Sequence, residues 1–357
     1  MIVPPRVPRH AGVAASVVPA DLSTPGVLHL PRHMHPSEVL FQGQRPPASL
    51  PACDHYAGSE KLMRKSVAMQ QEQGPVFDIT FDCEDGAAAG NEESHARLVA
   101  TMIASDDNHF DRIGVRVHDV HHAAFEQDVR IVCELAAARL AYVAIPKVEN
   151  VAELEHALAI VNRHAMAAGR TDLPIHVLIE TQGALIDAFA IAALPQVECL
   201  SFGIMDFVSS HYGAIPAAAM RSPGQFTHPL VVRAKLEIAA ACHAFGKVPA
   251  HNVTTEIKDT AVAANDATRA GGEFGYTRMW SIHPDQIKPI LKSFAPRMSE
   301  INEASTILAD AQAQHWGPIQ HNGKLHDRAS YRYYWTILQR ARANGMPLPD
   351  FAASLLT

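Results

Sequence analysis

The chain has 357 residues, of which 48% are hydrophobic and 19% charged, with a formal net charge of −7. This length and balance permit a large buried core. The acidic excess excludes a sequence-independent nucleic-acid binder, which needs a basic face. No stretch reaches the ~18 uninterrupted apolar residues of a membrane-spanning helix. The opening MIVPPRVPRH lacks the apolar run of a secretion signal. Five cysteines (Cys53, Cys83, Cys133, Cys199 and Cys242) are scattered singly, as suits reduced thiols. The expectation is a cytoplasmic protein with neither membrane nor nucleic acid as a partner.

Residues 1–48 are rich in proline and histidine, show no helical or strand period, and read as an irregular arm. From residue 49 short β-type runs alternate with longer helical runs. The predicted strands are SLPACDHY (49–56), VFDITFDC (76–83), RIGVRV (112–117), AYVAIPK (141–147), PIHVLIE (174–180), VECLSFG (197–203), KVPAHNV (247–253) and YTRMWSI (276–282). Predicted helices between them include 60–73, 151–168, 231–245 and 257–270. Eight such repeats over 49–296 match an α/β fold of the (β/α)8 TIM-barrel type. The rival is an open doubly wound sheet. It would usually carry GxGxxG after its first strand, whereas this chain has Ala57-Gly58-Ser59-Glu60. Residues 297–357 read as a helical tail (298–313, a turn at HWGPIQHNGKLHD, then 330–343), expected to form a C-terminal lid over a barrel mouth.

Barrel enzymes place their chemistry at the C-terminal strand ends, where the βα loops surround one pocket. In the second predicted strand the period of two sends Phe77, Ile79, Phe81 and Cys83 toward the helices. Asp78, Thr80, Asp82 and Glu84 then face the barrel axis. Buried carboxylates there need cations or hydrogen-bond donors. The third strand points Arg116 inward, the fifth ends at Glu180 and the sixth runs into Asp206. Two carboxylates ending adjacent strands beside an inward arginine suit Mg²⁺, which takes one or two protein carboxylates and keeps waters. Such an ion leaves positions for a 2-oxo or 2-hydroxy acid, whose carboxylate an arginine can pair bidentately. Asp85 reads as a structural acid.

With these residues in view, the chain resembles the HpcH/HpaI aldolase and citrate lyase β-subunit superfamily from about residue 55 to 328. The nearest branch is that of the malyl-CoA and citramalyl-CoA lyases. Asp82-Cys83-Glu84-Asp85 with Ala96-Arg97 is similar to its D-L-E-D…A-R, and Arg116-Val117 to its arginine strand. Pro146-Lys147-Val148-Glu149 matches P-K-V-E, and Glu180-Thr181-Gln182-Gly183 resembles E-T-x-x-G with the glycine one residue early. Gly203-Ile204-Met205-Asp206 resembles G-x-x-D, and Ile282-His283-Pro284-Asp285-Gln286-Ile287 matches I-H-P-x-Q-I. The resemblance implies Mg²⁺ on Glu180 and Asp206, substrate contacts from Arg116, Asp82 and Glu84, and catalysis by Arg116 and Glu84. It also implies that Asp327, within Gly323-Lys324-Leu325-His326-Asp327, transfers a proton at a neighbouring subunit's mouth, hence a homo-oligomer. The implied reaction is reversible cleavage of a 3-hydroxyacyl thioester of the malyl-, citramalyl- or citryl-CoA type. The family's R-S-x-L-x-V-P-G is replaced by Ala52-Cys53-Asp54-His55-Tyr56-Ala57-Gly58, without the arginine.

Other readings stay open at this point. An aldolase acting on free hydroxy-oxo acids without CoA needs the same metal site, and a non-catalytic barrel with a binding role needs none. His33-Met34-His35 has the H-x-H spacing of zinc-dependent amidohydrolase barrels, but those also need histidines at the ends of strands five and six. Lys147 can be read as a Schiff-base former or as a salt-bridged structural residue.

Overall fold

The computed structural model describes residues 35–43, 46–87 and 89–356. The segment before His35, with most of the expected arm and its H-x-H, lies outside the described residues. Eight strands alternate with helices: β1 (Cys53–Ala57), β2 (Asp78–Asp82), β3 (Ile113–Arg116), β4 (Leu140–Ile145), β5 (Ile175–Ile179), β6 (Val197–Phe202), β7 (Val248–His251) and β8 (Arg278–Ser281). They close in sequence order into one parallel barrel, β8 pairing back onto β1. The expected (β/α)8 architecture is therefore what the chain forms, and the doubly wound sheet is excluded.

The strand period decides which side chains meet. Ile79, Phe81, Ile113, Val115, Ile175 and Val177 turn outward and join Val99, Val132, Leu154, Ile238 and other helix residues in the main apolar core. Inside the barrel, Ala144, Leu178, Cys199, Val248, Ala250 and Trp280 form a small apolar cluster, against which Ala48 and Leu50 pack. Several of the remaining inward positions are charged. Fully buried Arg278 reaches Asp78 at 2.6 Å, Asp54 at 2.9 Å and the Pro51 carbonyl at 2.9 Å, while Arg112 pairs with the other Asp78 oxygen at 2.6 Å. Asp54 also accepts bonds from Thr80 (2.8 Å) and Tyr142 (3.0 Å). The Tyr142 ring lies over Gly114, where a Cβ would stand 2.2 Å from it, so only glycine fits.

The tail has its own apolar core. Helices Met298–Ala313, Arg328–Ala343 and Asp350–Leu355 gather Ile301, Leu308, Tyr331, Trp335 and Leu355 around Leu40 and Phe41. The latter two belong to a short helix, Pro36–Phe41, within the stretch expected to be irregular. Where a plain turn was expected, β9 (Ile319–His321) and β10 (Lys324–His326) form an antiparallel hairpin. Asn322 and Gly323 turn it with φ of 49° and 75°, the left-handed pair that Asn-Gly favours.

The tail attaches to the barrel through Arg340, which donates to the Phe294 carbonyl at 2.8 Å, and through Gly345, which lies against Val76. Val76 leads into β2 and Phe294 ends the helix after β8, so both lie on the face opposite the mouth. The helical tail is present as expected, but within one chain it is anchored away from its own barrel mouth.

Removing the cation from a buried cluster leaves uncompensated charge, at a cost of about 3–5 kcal/mol. Arg278→Met should therefore lower the unfolding free energy by that amount in urea titrations, and adding Asp54→Asn should recover part of it. A loss under ~1 kcal/mol would mean that Arg278 does not neutralise the floor.

Candidate active site

The mouth is assembled from the ends of β2 to β6. Asp82, the last residue of β2, is register-paired with Arg116, the last of β3. Its carboxylate takes Arg116 Nε at 2.8 Å and Nη2 at 2.6 Å, and accepts the Glu84 and Gly86 amides at 3.1 and 2.8 Å. Asp82 was expected to contact substrate. Both of its oxygens orient Arg116 and close the β2 loop.

Glu84 is buried between two cations: Arg116 Nη1 at 3.0 Å from one oxygen, and Lys147 Nζ in contact with the other. Arg116 itself is nearly buried and lies over the Tyr56 ring at 5.4 Å. Tyr56 stacks on Trp280 at 4.4 Å, so two aromatic rings wall one side of the arginine. Their inward parity on β1 and β8 was available in the sequence, but the pair was not singled out there.

Lys147 follows β4 with a left-handed backbone (φ 53°). That geometry lets its amide donate to Glu180 Oε1 at 2.8 Å while its ammonium reaches Glu84, Asp85 (2.8 Å) and, at 3.9 Å, Asp206. Burial favours the neutral amine, but Asp85 and Glu84 outweigh it and hold the group charged, well above the ordinary lysine range. A Schiff base needs the free amine, so the salt-bridged reading of Lys147 is the one the geometry supports. Asp85, expected to be structural, serves as one of these anchors.

Glu180 follows β5 and is 2% exposed. Its carboxyl is pushed up to about 8, first by burial and next by the charge of Asp206. Oε2 occupies the space a Cβ would fill at Gly203, 2.1 Å away, so glycine is required where β6 hands over to the next helix. Asp206 lies in the first turn of that helix, Ile204–Ser209, with its side chain 40% exposed. One buried and one half-exposed carboxylate thus face each other, and their hard oxygens suit a hard divalent cation. Among the described residues no cluster of three or more His, Cys, Asp or Glu is placed to hold a metal. A two-carboxylate site completed by water and substrate oxygens is the kind these residues fit.

The structure therefore brings Asp82, Glu84, Arg116, Glu180 and Asp206 to one mouth. It does not bring Asp327 there. Asp327 caps the helix Arg328–Ala343, accepting the Ala329 and Ser330 amides at 3.0 and 3.4 Å on the exposed tail.

A closed parallel barrel whose loop face gathers acids and an arginine at successive strand ends is an enzyme framework. Residues 57–284 match the family model described as HpcH/HpaI aldolase/citrate lyase. A crystal structure of a citrate lyase from Burkholderia xenovorans LB400 is 57% identical and covers 90% of this chain and all of its own, with a TM-score of 0.78. The L-malyl-CoA/beta-methylmalyl-CoA lyase of Rhodobacter capsulatus is 25% identical over 317 residues, covering 85% of this chain and 98% of its own length. The protein CitE from Mycobacterium tuberculosis, crystallised with magnesium, acetoacetate and coenzyme A, shares the fold at 20% identity and a TM-score of 0.59, over 84% of this chain and 99% of its own. The chain belongs to the HpcH/HpaI aldolase/citrate lyase family and is a carbon–carbon lyase. No helix among the described residues is long and apolar enough to cross a membrane.

The raised Glu180 carboxyl has a stability consequence. Between its usual value of 4.5 and about 8 the folded protein binds the extra proton. Metal-free stability should therefore fall as pH rises through that window, by a few kcal/mol as an order of magnitude. Glu180→Gln lacks this penalty. In EDTA the variant should gain on the parent from pH 5 to pH 8 in thermal or urea unfolding, and an unchanged gap would contradict the charge conflict.

Proposed function

We propose that the protein is a Mg²⁺-dependent lyase that reversibly cleaves a 3-hydroxyacyl-CoA thioester of the malyl, citramalyl or citryl type. The products are an acyl-CoA and a 2-oxo acid. The observation that carries this reading is the buried Glu180 facing Asp206 within the same charged cluster as Arg116. Magnesium is the ion named for the M. tuberculosis neighbour. Held by Glu180 and Asp206, it would supply Lewis-acid stabilisation of the oxygen that becomes a carbonyl, worth several kcal/mol.

The chain's own residues account for the rest. Arg116, locked in plane by Asp82 through Nε and Nη2, keeps further Nη1 and Nη2 N–H groups for a substrate carboxylate and for the developing oxygen charge. Glu84 keeps Arg116 and Lys147 in place, and Lys147 balances the acids that surround it. The Tyr56–Trp280 wall excludes water from that side, which limits quenching of an enolate. As the family resemblance implies, Asp327 is proposed as the proton-transfer residue at a neighbouring subunit's mouth in a homo-oligomer, its own tail being anchored on the far face of its own barrel. The carboxylate network sits in a cytoplasmic enzyme whose ligands are small acids and their thioesters.

The test is a panel of L-malyl-CoA, citramalyl-CoA, citryl-CoA and the corresponding free hydroxy acids, assayed with Mg²⁺ for glyoxylate, pyruvate or oxaloacetate. Turnover of a thioester, abolished by EDTA and by Glu180→Gln or Asp206→Asn, is the expected result. Turnover confined to the free acids would replace the reading with that of an aldolase needing no CoA. Arg116→Lys, which keeps the charge but loses the planar fork, should cost about a hundredfold in kcat/KM.

A further inference from the structure

The two acids that face each other at the mouth are held in unequal ways. Glu180 is fixed from two sides, by the Lys147 amide at 2.8 Å and by the close approach of Gly203. The Asp206 carboxylate accepts no hydrogen bond among the described residues, and the cation it meets, Lys147, stands 3.9 Å away. Its position is therefore set by the helix that carries it, Ile204–Ser209, which buries Ile204, Phe207 and Val208 on one face. So short a helix does not hold itself in place, and the ties at its two ends decide where Asp206 points.

At its start, the Gly203 amide donates to the carbonyl of Ile179, the last residue of β5, at 3.1 Å. Just beyond its end, His211 makes a second tie to the loop after β5. Its Nδ1 faces the Phe207 carbonyl at 2.6 Å, and a carbonyl only accepts, so Nδ1 carries the proton. Nε2 keeps its lone pair, which takes the Gln182 side-chain amide at 2.6 Å. Gln182 stands two residues beyond Glu180 and opens the helix Gln182–Ile186. Thr181 caps that helix, accepting the Ala184 amide at 3.0 Å and donating to the Val148 carbonyl, next to Lys147, at 2.8 Å. One run of bonds thus joins the loop after β4, the loop that carries Glu180 and the segment that carries Asp206. The chain then leaves His211 through Tyr212 and Gly213, both left-handed with φ of 52° and 83°. A tyrosine is costly in that conformation and persists there only where its surroundings fix it. The anchored His211 supplies that restraint.

Resting on the metal reading above, we infer that the Gln182–His211 bridge sets the spacing of Glu180 and Asp206 and so determines which divalent cation the pair accepts. Mg²⁺ demands near-ideal octahedral geometry with oxygens at about 2.0–2.1 Å, whereas Ca²⁺ tolerates irregular geometry at about 2.3–2.6 Å. A carboxylate pair tied across both loops suits the smaller, stricter ion. With the bridge cut, Asp206 rides on a helix held by its start and its apolar face alone, and the larger ion loses less than the smaller one. Gln182 and His211 act through Asp206 and are positioning residues. Groups that orient metal ligands in this way are worth about 10–100-fold in metal affinity.

The test is calorimetric titration of Mg²⁺ and, separately, Ca²⁺ into the metal-free protein. The parent is compared with Gln182→Ala, His211→Ala, the double variant, and His211→Gln, whose amide can also bond Gln182. Each alanine variant should weaken Mg²⁺ binding by at least about tenfold and Ca²⁺ binding by less than about threefold. The double variant should be no weaker than the poorer single one, because both substitutions remove the same bond. His211→Gln should regain most of the loss, and metal-free unfolding midpoints should stay within about 2 °C of the parent. If His211→Ala does not fold, Gln182→Ala and His211→Gln carry the comparison. Mg²⁺ affinity within about threefold of the parent, equal losses for the two ions, or losses that multiply in the double variant would overturn the bridge and leave the lyase reading standing. Parent-like Mg²⁺ binding by Glu180→Gln would overturn the metal reading, and the bridge with it.

Discussion

The arrangement of this mouth depends on one electrostatic constraint: Glu180 is buried, and Asp206 faces it from the next strand end. A carboxylate that has lost its water and gained a like-charged neighbour must be protonated or matched by a cation. The surrounding chain is shaped around that choice. Gly203 leaves room for the second Glu180 oxygen, and the left-handed Lys147 backbone aims an amide at the first. The Lys147 ammonium meanwhile stands among Glu84, Asp85 and Asp206. Each of these features would be a local cost in a barrel with a neutral mouth.

The same logic divides the barrel into two charged levels separated by function. At the floor, Arg278 and Arg112 pair with Asp54 and Asp78, two cations with two acids, which is an arrangement for holding strands together. At the mouth, the two cations Arg116 and Lys147 pair with the three acids Asp82, Glu84 and Asp85, while Glu180 remains raised and Asp206 half-exposed. The imbalance at the mouth, against the balance at the floor, is what marks chemistry rather than structure.

Much of this was legible from the residues. The period of two in VFDITFDC assigned Asp78, Thr80 and Asp82 to the barrel interior because one face had to pack on helices. The strand ends at Glu180 and Asp206 followed from where each apolar run stopped. What was hidden depends on long-range pairing. That Lys147 would bridge Glu84 and Asp85, 63 and 62 positions earlier, has no local signature, nor does the commitment of Asp82 to Arg116. The helix Pro36–Phe41 is too short to hold itself together and exists by packing Leu40 and Phe41 into the core of a tail some 260 residues away. The hairpin at Asn322-Gly323 did have a signal, the Asn-Gly pair, which was subsumed into a turn.

The central claim is that Glu180 and Asp206 share a divalent cation. Crystals grown with Mn²⁺ in place of Mg²⁺, measured at the manganese absorption edge, test it directly. The account predicts an anomalous peak about 2 Å from an oxygen of each residue, with Arg116 facing the same space. A peak on Glu84 and Asp85 with Glu180 unliganded, or none at the mouth at saturating Mn²⁺, would contradict it.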